Sequence, residues 1–487
     1  MAYGTSQDPR SARWSPSWTE RPGWLPFLTG CSLVAVYVSL PSYLFNFDGV
    51  ACAIAVELGD LKHLVHGNHL VYGLTGLAFH RLLAAAGLGW SAIAALQFMG
   101  CALGAWGAGS MCALLLRAGF GKSSAVLAAL GLGVSYIWWL RSVDAQVYVL
   151  AALFLVWCLD EALRPSPRPY RLALWHGLAM LSHASHALLT PLVLYSLWRS
   201  RPAAACKRDA GVYLCAAALL VAASYAAAAV LWVRPSGLDE LRVWLLGSAA
   251  LGPGRTPMWI GFSSPAQAVG DWLKASVGIV SPALWLALPV WLAAASTLDP
   301  RRLGEFRTAA VSGWIWLASY PALFLFWEPY KLDYHMTDLI PLWLLAAVGT
   351  ARRLRGRRAQ LGAAAFVLAL AAVNGVRGIR PVSDPAMNRS FQKALWLEKV
   401  TPENAWIASE GLDKVYIPYF AHRRPLILGP YQGRGAELRE RVAGLRAPGD
   451  PVFFTSDILR DEHRLALAGS VFEPRGSESG IDLLLVR

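Results

Sequence analysis

Asp48 is the first residue whose type and position suggest catalysis. It stands in the motif FNFDG (residues 45–49), where an apolar stretch that starts at Trp24 ends. A carboxylate at the mouth of a membrane span is costly to keep and is therefore a candidate functional residue. Within hydrogen-bond reach of a hydroxyl or amine, such a carboxylate acts as a general base. The local pattern is also typical of an aspartate that caps a helix beginning at Gly49.

A second acidic residue, Asp144, follows in the motif RSVDAQVY (residues 141–148). Arg141 and Gln146 flank it, so a cation, a carboxylate and an amide fall in one short segment. Asp144 is a candidate for metal binding, for positioning an acceptor or for orienting Asp48, and it equally fits the N-cap of a helix that begins at the next residue. Both aspartates are candidate ligands of Mg²⁺ or Mn²⁺, because carboxylate and water oxygens suit these ions.

The composition predicts a membrane protein with many spans. The chain has 487 residues, of which 56% are hydrophobic and 15% charged, whereas about 25% charged residues are usual in soluble domains. The net charge of +13 is explained by Lys and Arg in cytoplasmic loops and does not indicate nucleic-acid binding. The seven Cys residues form no CxxC or Cys/His spacing, so the sequence predicts neither a disulfide framework nor a zinc site.

Eleven apolar stretches predict transmembrane helices. They lie near residues 24–45, 92–116, 124–140, 145–162, 172–184, 186–198, 210–233, 272–296, 308–326, 336–350 and 360–376. With the N-terminal tail 1–23 and alternate loops on one side, that side holds 20 Lys and Arg and the other holds 8. The positive-inside rule makes the richer side cytoplasmic, so Asp48 and Asp144 are predicted outside. This split requires residues 69–87 to lie on the outer surface and residues 172–198 to form a hairpin that turns near residues 183–186.

Cations are few on the predicted outer face, which makes those present informative candidates for binding a phosphate. A Lys or Arg there could form charge-assisted hydrogen bonds with a lipid phosphate, although interfacial snorkelling and structural histidine pairs are alternatives. The candidate substrate-binding residues are His66, Asn68, His69, Arg141, Gln146, His183, His186, Tyr330, Lys331, Tyr334 and His335.

After Arg377 the sequence changes character. Residues 378–487 carry more charge and no stretch long enough to span a membrane. Their patterns predict a helix near 387–399 and strands near 405–409, 452–455 and 482–486. We expect a small soluble α/β domain, placed outside because the number of predicted spans is odd.

This combination resembles the GT-C superfamily of integral-membrane glycosyltransferases, which includes protein O-mannosyltransferases and aminoarabinose transferases. The superfamily's plan is one span, an outer loop with an early Asp and two juxtamembrane helices, and a second acidic residue in the next outer loop. Asp48 and the segment 141–148 match the two acidic positions, and the resemblance implies juxtamembrane helices at 49–64 and 68–88. The segment GLAMLSH (177–183) resembles the family's short-helix hairpin, and FWEPYK (326–331) resembles its late outer loop. Many members have Asp-Glu where this chain has Asp48-Gly49, which leaves the sugar open.

The resemblance implies an all-α polytopic membrane protein of about 11 transmembrane helices with a small α/β C-terminal domain. It implies transfer of a sugar from a polyprenyl-phosphate donor to a protein, lipid or glycan acceptor at the outer face of the inner membrane. The expected mechanism is a single inverting displacement with Asp48 as base, and a divalent cation is left open. The alternatives are a transporter or flippase of lipid-linked sugars, which would carry midplane charges and an internal repeat, and a polysaccharide polymerase or ligase.

Overall fold

The computed structural model describes residues 23–247 and 258–487, so nearly all of the predicted cytoplasmic tail 1–23 lies outside the described residues. The chain divides into two compact units. The helical unit contains residues up to 41, 60–90 and 94–380, and the C-terminal unit contains 42–59, 91–93 and 381–487. This grouping differs from a boundary after Arg377, because it places residues 42–59 with the C-terminal segment.

Most of the chain is helical. The first helices are α1 (Leu25–Val38), α2 (Phe47–Leu58), α3 (Leu61–Leu64), α4 (Tyr72–Ala85), α5 (Ala92–Arg117), α6 (Lys122–Val134), α7 (Tyr136–Ser142), α8 (Tyr148–Leu163), α9 (Pro169–Ser182), α10 (Thr190–Ser200), α11 (Ala203–Ala228), α12 (Leu238–Leu246) and α13 (Ile260–Ser263). The later helices are α14 (Pro265–Gly278), α15 (Leu284–Ala295), α16 (Pro300–Leu303), α17 (Arg307–Ser319), α18 (Pro321–Phe324), α19 (Leu339–Thr350), α20 (Arg357–Asn374), α21 (Arg380–Val382), α22 (Arg389–Val400), α23 (Asp413–Phe420), α24 (Gly435–Arg446) and α25 (Asp461–Ala466).

Three helices within 23–247 and 258–487 are long and apolar enough to cross a membrane, which supports an integral membrane protein. They are Ala92–Arg117, Ala203–Val233 and Arg357–Val382, and α6 with α7 would form a fourth span bent by 66°. The predicted number of eleven spans is not confirmed. Two of the predicted stretches illustrate why: 24–45 yields a helix of only 14 residues, and 272–296 is divided between α14 and α15.

The bend between α6 and α7 is held by hydrogen bonds with residues distant in sequence. Ser135 adopts an extended conformation, and the N–H of Tyr136 donates to the carbonyl oxygen of Val280 at 2.9 Å. The buried side-chain amide of Asn374 donates to the carbonyl oxygens of Val134 and Val280 at 2.9 and 2.8 Å. These bonds satisfy main-chain groups that the break removes from the helical ladder.

The C-terminal unit contains a five-stranded mixed sheet. Its strands are β1 (Trp406–Ser409), β2 (Arg424–Ile427), β3 (Val452–Thr455), β4 (Phe472–Glu478) and β5 (Ile481–Val486), in the order β2-β1-β3-β5-β4. β1 pairs in parallel with β2 and β3, and β5 pairs antiparallel with β3 and β4. A core that includes Phe454, Leu438 and Val442 lies between the sheet and α24.

Candidate active site

The segment 66–69 forms a tight turn in the helical unit. The N–H of His69 donates to the carbonyl oxygen of His66 at 2.9 Å, and the N–H of Asn68 donates to Nδ1 of His66 at 3.2 Å. A Cβ at Gly67 would meet the carbonyl oxygen of Trp244 at 1.9 Å, so only glycine fits here. Three hydrogen bonds hold the main chain: Trp244 Nε1 donates to the carbonyl oxygen of Val65, the Tyr225 hydroxyl to that of Gly67, and the Ala184 N–H to that of Asn68.

Four histidine rings form a continuous cluster, called the histidine cluster below. The ring of His69 lies 5.3 Å from that of His66 and 5.0 Å from that of His183, and the rings of His183 and His186 are 5.5 Å apart. The first two come from the turn at 66–69, and the last two from the link between α9 and α10, which contains a 3₁₀ helix at Ala184–Leu189. Two segments far apart in sequence thus supply one site.

His69 is neutral at physiological pH. Burial lowers its pKa from the usual 6.5 to about 3, and the charges of His66 and Lys331 act in the same direction. Its Nδ1 atom is buried and has no hydrogen-bond partner within the described ranges. A buried polar atom without a partner is unusual, and this one is available to a ligand.

His186 and His183 are fixed by hydrogen bonds on one side. Nδ1 of His186 bonds to the hydroxyl of Tyr320 at 2.8 Å, and its carbonyl oxygen bonds to Nε2 of His176 at 2.7 Å. Nε2 of His186 is buried without a partner among the described residues. Nδ1 of His183 bonds to the hydroxyl of Ser185 at 2.6 Å. Each ring is therefore oriented by the fold.

Tyrosines and one lysine adjoin the histidine cluster. The rings of Tyr148 and Tyr334 lie 5.6 and 6.1 Å from the ring of His183. The Nζ atom of Lys331 lies 5.1 Å from the centroid of the Tyr334 ring, a cation–π distance. Lys331 also pairs with Glu328, but Nζ and Oε2 are 3.4 Å apart and the lysine side chain is 36% exposed.

Glu328, which was not among the predicted site residues, binds three side chains of this loop. The buried carboxylate accepts hydrogen bonds from the hydroxyls of Tyr334 at 2.9 Å and Tyr330 at 3.3 Å, as well as from Lys331. Its φ of +43° is unfavourable for a residue other than glycine. The sequence did contain a signal for Glu328, because this carboxylate stands three residues before Lys331, the one lysine or arginine in residues 327–335.

Arg141, Asp144 and Asp333 form a second cluster, called the arginine triad below. The guanidinium of Arg141 contacts Oδ1 of Asp333 at 2.6 Å and Oδ2 of Asp144 at 3.1 Å. The other oxygen of Asp144 accepts the N–H of Ala145 at 2.9 Å. The side chains of Arg141 and Asp144 are 11% and 0% exposed. Arg141 is therefore already engaged by two carboxylates.

The two predicted helix caps were wrong. α2 begins at Phe47, and its N-cap is Asn46, whose Oδ1 accepts the N–H of Gly49. Asp48 lies in the first turn of α2, in the C-terminal unit, and is exposed. α8 begins only at Tyr148, so Asp144 lies in the preceding irregular segment. In both cases the helix starts at a different residue from the one that the local pattern favours.

Three further candidates take other positions. His335 is buried, with Nδ1 3.2 Å from Asp338 and Nε2 3.3 Å from the carbonyl oxygen of Pro329, which makes it a structural residue of the loop. Tyr330 is exposed. Gln146 is buried, and its N–H donates to the carbonyl oxygen of Asp144.

The described chain resembles solved structures of ArnT from Cupriavidus metallidurans. The structure bound to undecaprenyl phosphate has 14% identity and a TM-score of 0.66, and covers 95% of this chain and 98% of that one. The apo structure has 15% identity and a TM-score of 0.64, with the same coverage. The chain has the GT-C fold.

A weaker likeness, with a TM-score of 0.49 and 14% identity, links 91% of this chain to 70% of the apo oligosaccharyltransferase of Archaeoglobus fulgidus. No protein-family model matches the sequence, and no curated protein matches it either. The ArnT structures confirm the predicted resemblance to GT-C enzymes for the fold. Sequence identities this low carry no information about the sugar or the acceptor.

A divalent cation bound by Asp48 and Asp144 stays a prediction. In residues 23–247 and 258–487, no three His, Cys, Asp or Glu side chains are placed together as a metal site requires. Both oxygens of Asp144 are already engaged, by Arg141 and by the N–H of Ala145.

Proposed function

We propose that the protein is an integral-membrane glycosyltransferase that uses a polyprenyl-phosphate-linked sugar as donor. The observation that carries the proposal is the placement of Lys331 beside the histidine cluster in a chain with the GT-C fold. A lysine ammonium beside buried imidazole rings suits a phosphate that must be held and then released. The structure of ArnT with undecaprenyl phosphate supports the class of sugar donor.

In this proposal Lys331 binds the phosphate of the sugar donor. Its ion pair with Glu328 is long and partly exposed, so the ammonium group can turn towards a ligand. A charge-assisted hydrogen bond to phosphate is stronger than one between neutral groups. The same contact stabilises the negative charge that grows on the departing phosphate.

The neutral histidines supply hydrogen bonds without adding charge. His69 and His186 each have a buried ring nitrogen that has no partner in the described ranges. A sugar hydroxyl, which can both donate and accept, would satisfy such an atom and recover the free energy lost by burying it without a partner. Tyr148 and Tyr334 offer ring faces next to His183, against which the apolar face of a sugar could pack.

Asp48 is proposed as the general base. It is exposed and has no hydrogen bond or ion pair among the described residues, so its carboxylate is free to accept a proton. The acceptor hydroxyl or amine loses its proton to Asp48 as its oxygen or nitrogen attacks the anomeric carbon. The bond from that carbon to the phosphate oxygen breaks, its electron pair leaves with the polyprenyl phosphate, and the anomeric configuration inverts.

Asp144 has a different part in the proposal. Its buried carboxylate holds Arg141, and it orients the acceptor side of the site instead of taking a proton. The acceptor is a protein, a lipid or a glycan. Reaction at the outer face of the inner membrane follows from the predicted topology and is part of the proposal.

The decisive experiment follows the sugar donor in liposomes that contain the purified protein. With a polyprenyl-phosphate sugar labelled in the sugar, we expect label to move to an added acceptor fraction, with one polyprenyl phosphate released per transfer. If the labelled donor instead crosses the bilayer intact, the protein is a transporter and the proposal is wrong. Asp48→Asn in the same liposomes provides the inactive reference.

A further inference from the structure

A second cavity lies in the helical unit and shares no lining residue with the histidine cluster. Its volume is about 620 Å³. Three cations, Lys122, Arg352 and Arg355, line it together with one acidic residue, Glu305. It is called the basic pocket below. Its lining comes from the loops after α5 and α19 and from the segment around α16, all of which the charge distribution assigns to the cytoplasmic side.

The N-terminus of α6 opens into the basic pocket. This helix has 13 residues, and its N-cap, Gly121, provides no side chain to satisfy the first turn. The N–H groups of the first helical residues, 122–124, therefore have no partner within the helix. A helix N-terminus with free N–H groups favours phosphate and other anions.

Ser124 gives an independent indication of a ligand. Its side chain lines the basic pocket and is only 6% exposed. Its hydroxyl forms no hydrogen bond with any residue in 23–247 or 258–487. A hydroxyl that faces the cavity without a protein partner is available to donate to a phosphate oxygen there.

An apolar groove adjoins the basic pocket. It measures about 190 Å³, is lined by residues such as Leu127, Trp343 and Phe366, and shares Ser124 and Leu354 with the basic pocket. α6, α15, α19 and α20 supply its walls. A polar cavity with a cationic lining that continues into an apolar groove has the form of a site for an amphiphile.

We propose that the basic pocket and the apolar groove together bind an anionic glycerophospholipid. The phosphate lies at the α6 N-terminus near Lys122, Ser124 and Arg352, and an acyl chain enters the groove. Three cations against one carboxylate favour a headgroup with net negative charge, and basic pockets between helices on the cytoplasmic side suit such headgroups. This inference does not depend on the proposed glycosyltransferase activity.

Native mass spectrometry of delipidated protein would test the site. Phosphatidylglycerol, phosphatidylcholine, inorganic phosphate and undecaprenyl phosphate are the probes. We expect each chain of the wild type to retain one phosphatidylglycerol. Removing one cation should weaken this binding by about fivefold, so the double variant Lys122→Gln/Arg352→Gln should bind about 25-fold more weakly. The matched control is Arg353→Gln/Arg357→Gln, which removes two exposed cations of the same region that do not line the pocket and should bind as the wild type does.

A milder variant keeps the test valid if the double variant does not fold. Ser124→Ala removes one hydroxyl and should weaken phosphatidylglycerol binding by about tenfold, as expected for a hydrogen bond to a charged group. Equal retention of phosphatidylcholine, or equal loss in the control variant, would overturn the proposal. Saturation by inorganic phosphate alone would show a free-phosphate site, and tighter binding of undecaprenyl phosphate would show a site for the polyprenyl lipid; either result would replace the phospholipid.

Discussion

Asp48 and Asp144, the two acidic residues that the sequence singles out, occupy opposite environments. Asp48 is exposed in the first turn of α2 and has no partner among the described residues. Asp144 is fully buried and holds Arg141 and a main-chain N–H with its two oxygens. A carboxylate without partners is available to act as a base, whereas one that neutralises a buried cation has a structural role.

The two candidate cations differ in the same way. Arg141 is bound by two carboxylates in the arginine triad, whereas Lys331 has one long ion pair and a half-exposed side chain. Within each pair of like charge, one member is engaged in the fold and the other is available to a ligand. Sequence spacing does not reveal this distinction, because it depends on which partners the fold supplies.

Asp48→Asn should have the largest effect. The substitution keeps size and polarity but removes proton affinity, so transfer should fall by roughly 10²–10⁴-fold. The free energy of unfolding should change little, because Asn46 and not Asp48 caps α2. Asp239→Asn, at an exposed aspartate in the first turn of α12, is the matched control. A well-folded Asp48→Asn protein with the wild-type rate would remove Asp48 from the mechanism.

Arg141→Met should mainly destabilise the protein. It leaves the buried Asp144 without its cation, and breaking a buried ion pair costs about 3–5 kcal/mol. Denaturation of the purified protein measures this, with Arg208→Met as control, since Arg208 is exposed in its pair with Asp209 and should cost no more than about 1 kcal/mol. Transfer per folded molecule should fall less than in Asp48→Asn. If Arg141→Met is stable but cannot use the sugar donor, Arg141 is a phosphate ligand after all.

Lys331→Gln should reduce use of the sugar donor by about 10- to 100-fold in kcat/KM, since hydrogen bonds to charged groups contribute about 1.5–3 kcal/mol. The control is Lys274→Gln, which removes another lysine with a carboxylate partner three residues away. A rate that depends on sugar-donor concentration as in the wild type would show that Lys331 is only an interfacial anchor.

His69→Gln should change how stability depends on pH. The pKa of His69 is about 3 in the folded protein and near the usual 6.5 when unfolded. The stability gained by keeping His69 neutral is complete above pH 6.5 and is lost as the pH falls from 6.5 towards 3, because only the unfolded chain takes up the proton. This proton adds a slope of up to about 1.4 kcal/mol per pH unit, which His69→Gln should remove from melting curves. An unchanged slope would mean that His69 is protonated in the folded state.

The sequence predicts much of the secondary structure because its signals there are local. Apolar length locates the helices, and alternation locates β1, β3 and β5. β2 contains Pro425, and β4 contains Pro474 and Gly476 at a register shift, so neither shows an alternating pattern. The bend at Ser135 was missed because its cause lies in hydrogen bonds to distant carbonyl oxygens.

The candidate site was predicted less completely. The pattern found His66, His69, His183, His186 and Lys331, since polar residues are conspicuous at the ends of apolar stretches. It did not show that Glu328 would bind three side chains of its own loop. Nor did it show that His335 would turn into the fold, because a three-residue spacing does not determine which partner a side chain meets.

The hydrogen bonds that anchor the turn at 66–69 have a consequence for engineering. All three bonds are accepted by main-chain carbonyl oxygens, and none of the three involves the side chain of His66, Asn68 or His69. The side chains of Asn68 and His69 can therefore be replaced without releasing these bonds, provided that Gly67 is kept, whereas Nδ1 of His66 itself accepts the N–H of Asn68. Under the proposed function, a library at positions 68 and 69 offers a way to alter the choice of lipid-linked sugar while the turn stays intact.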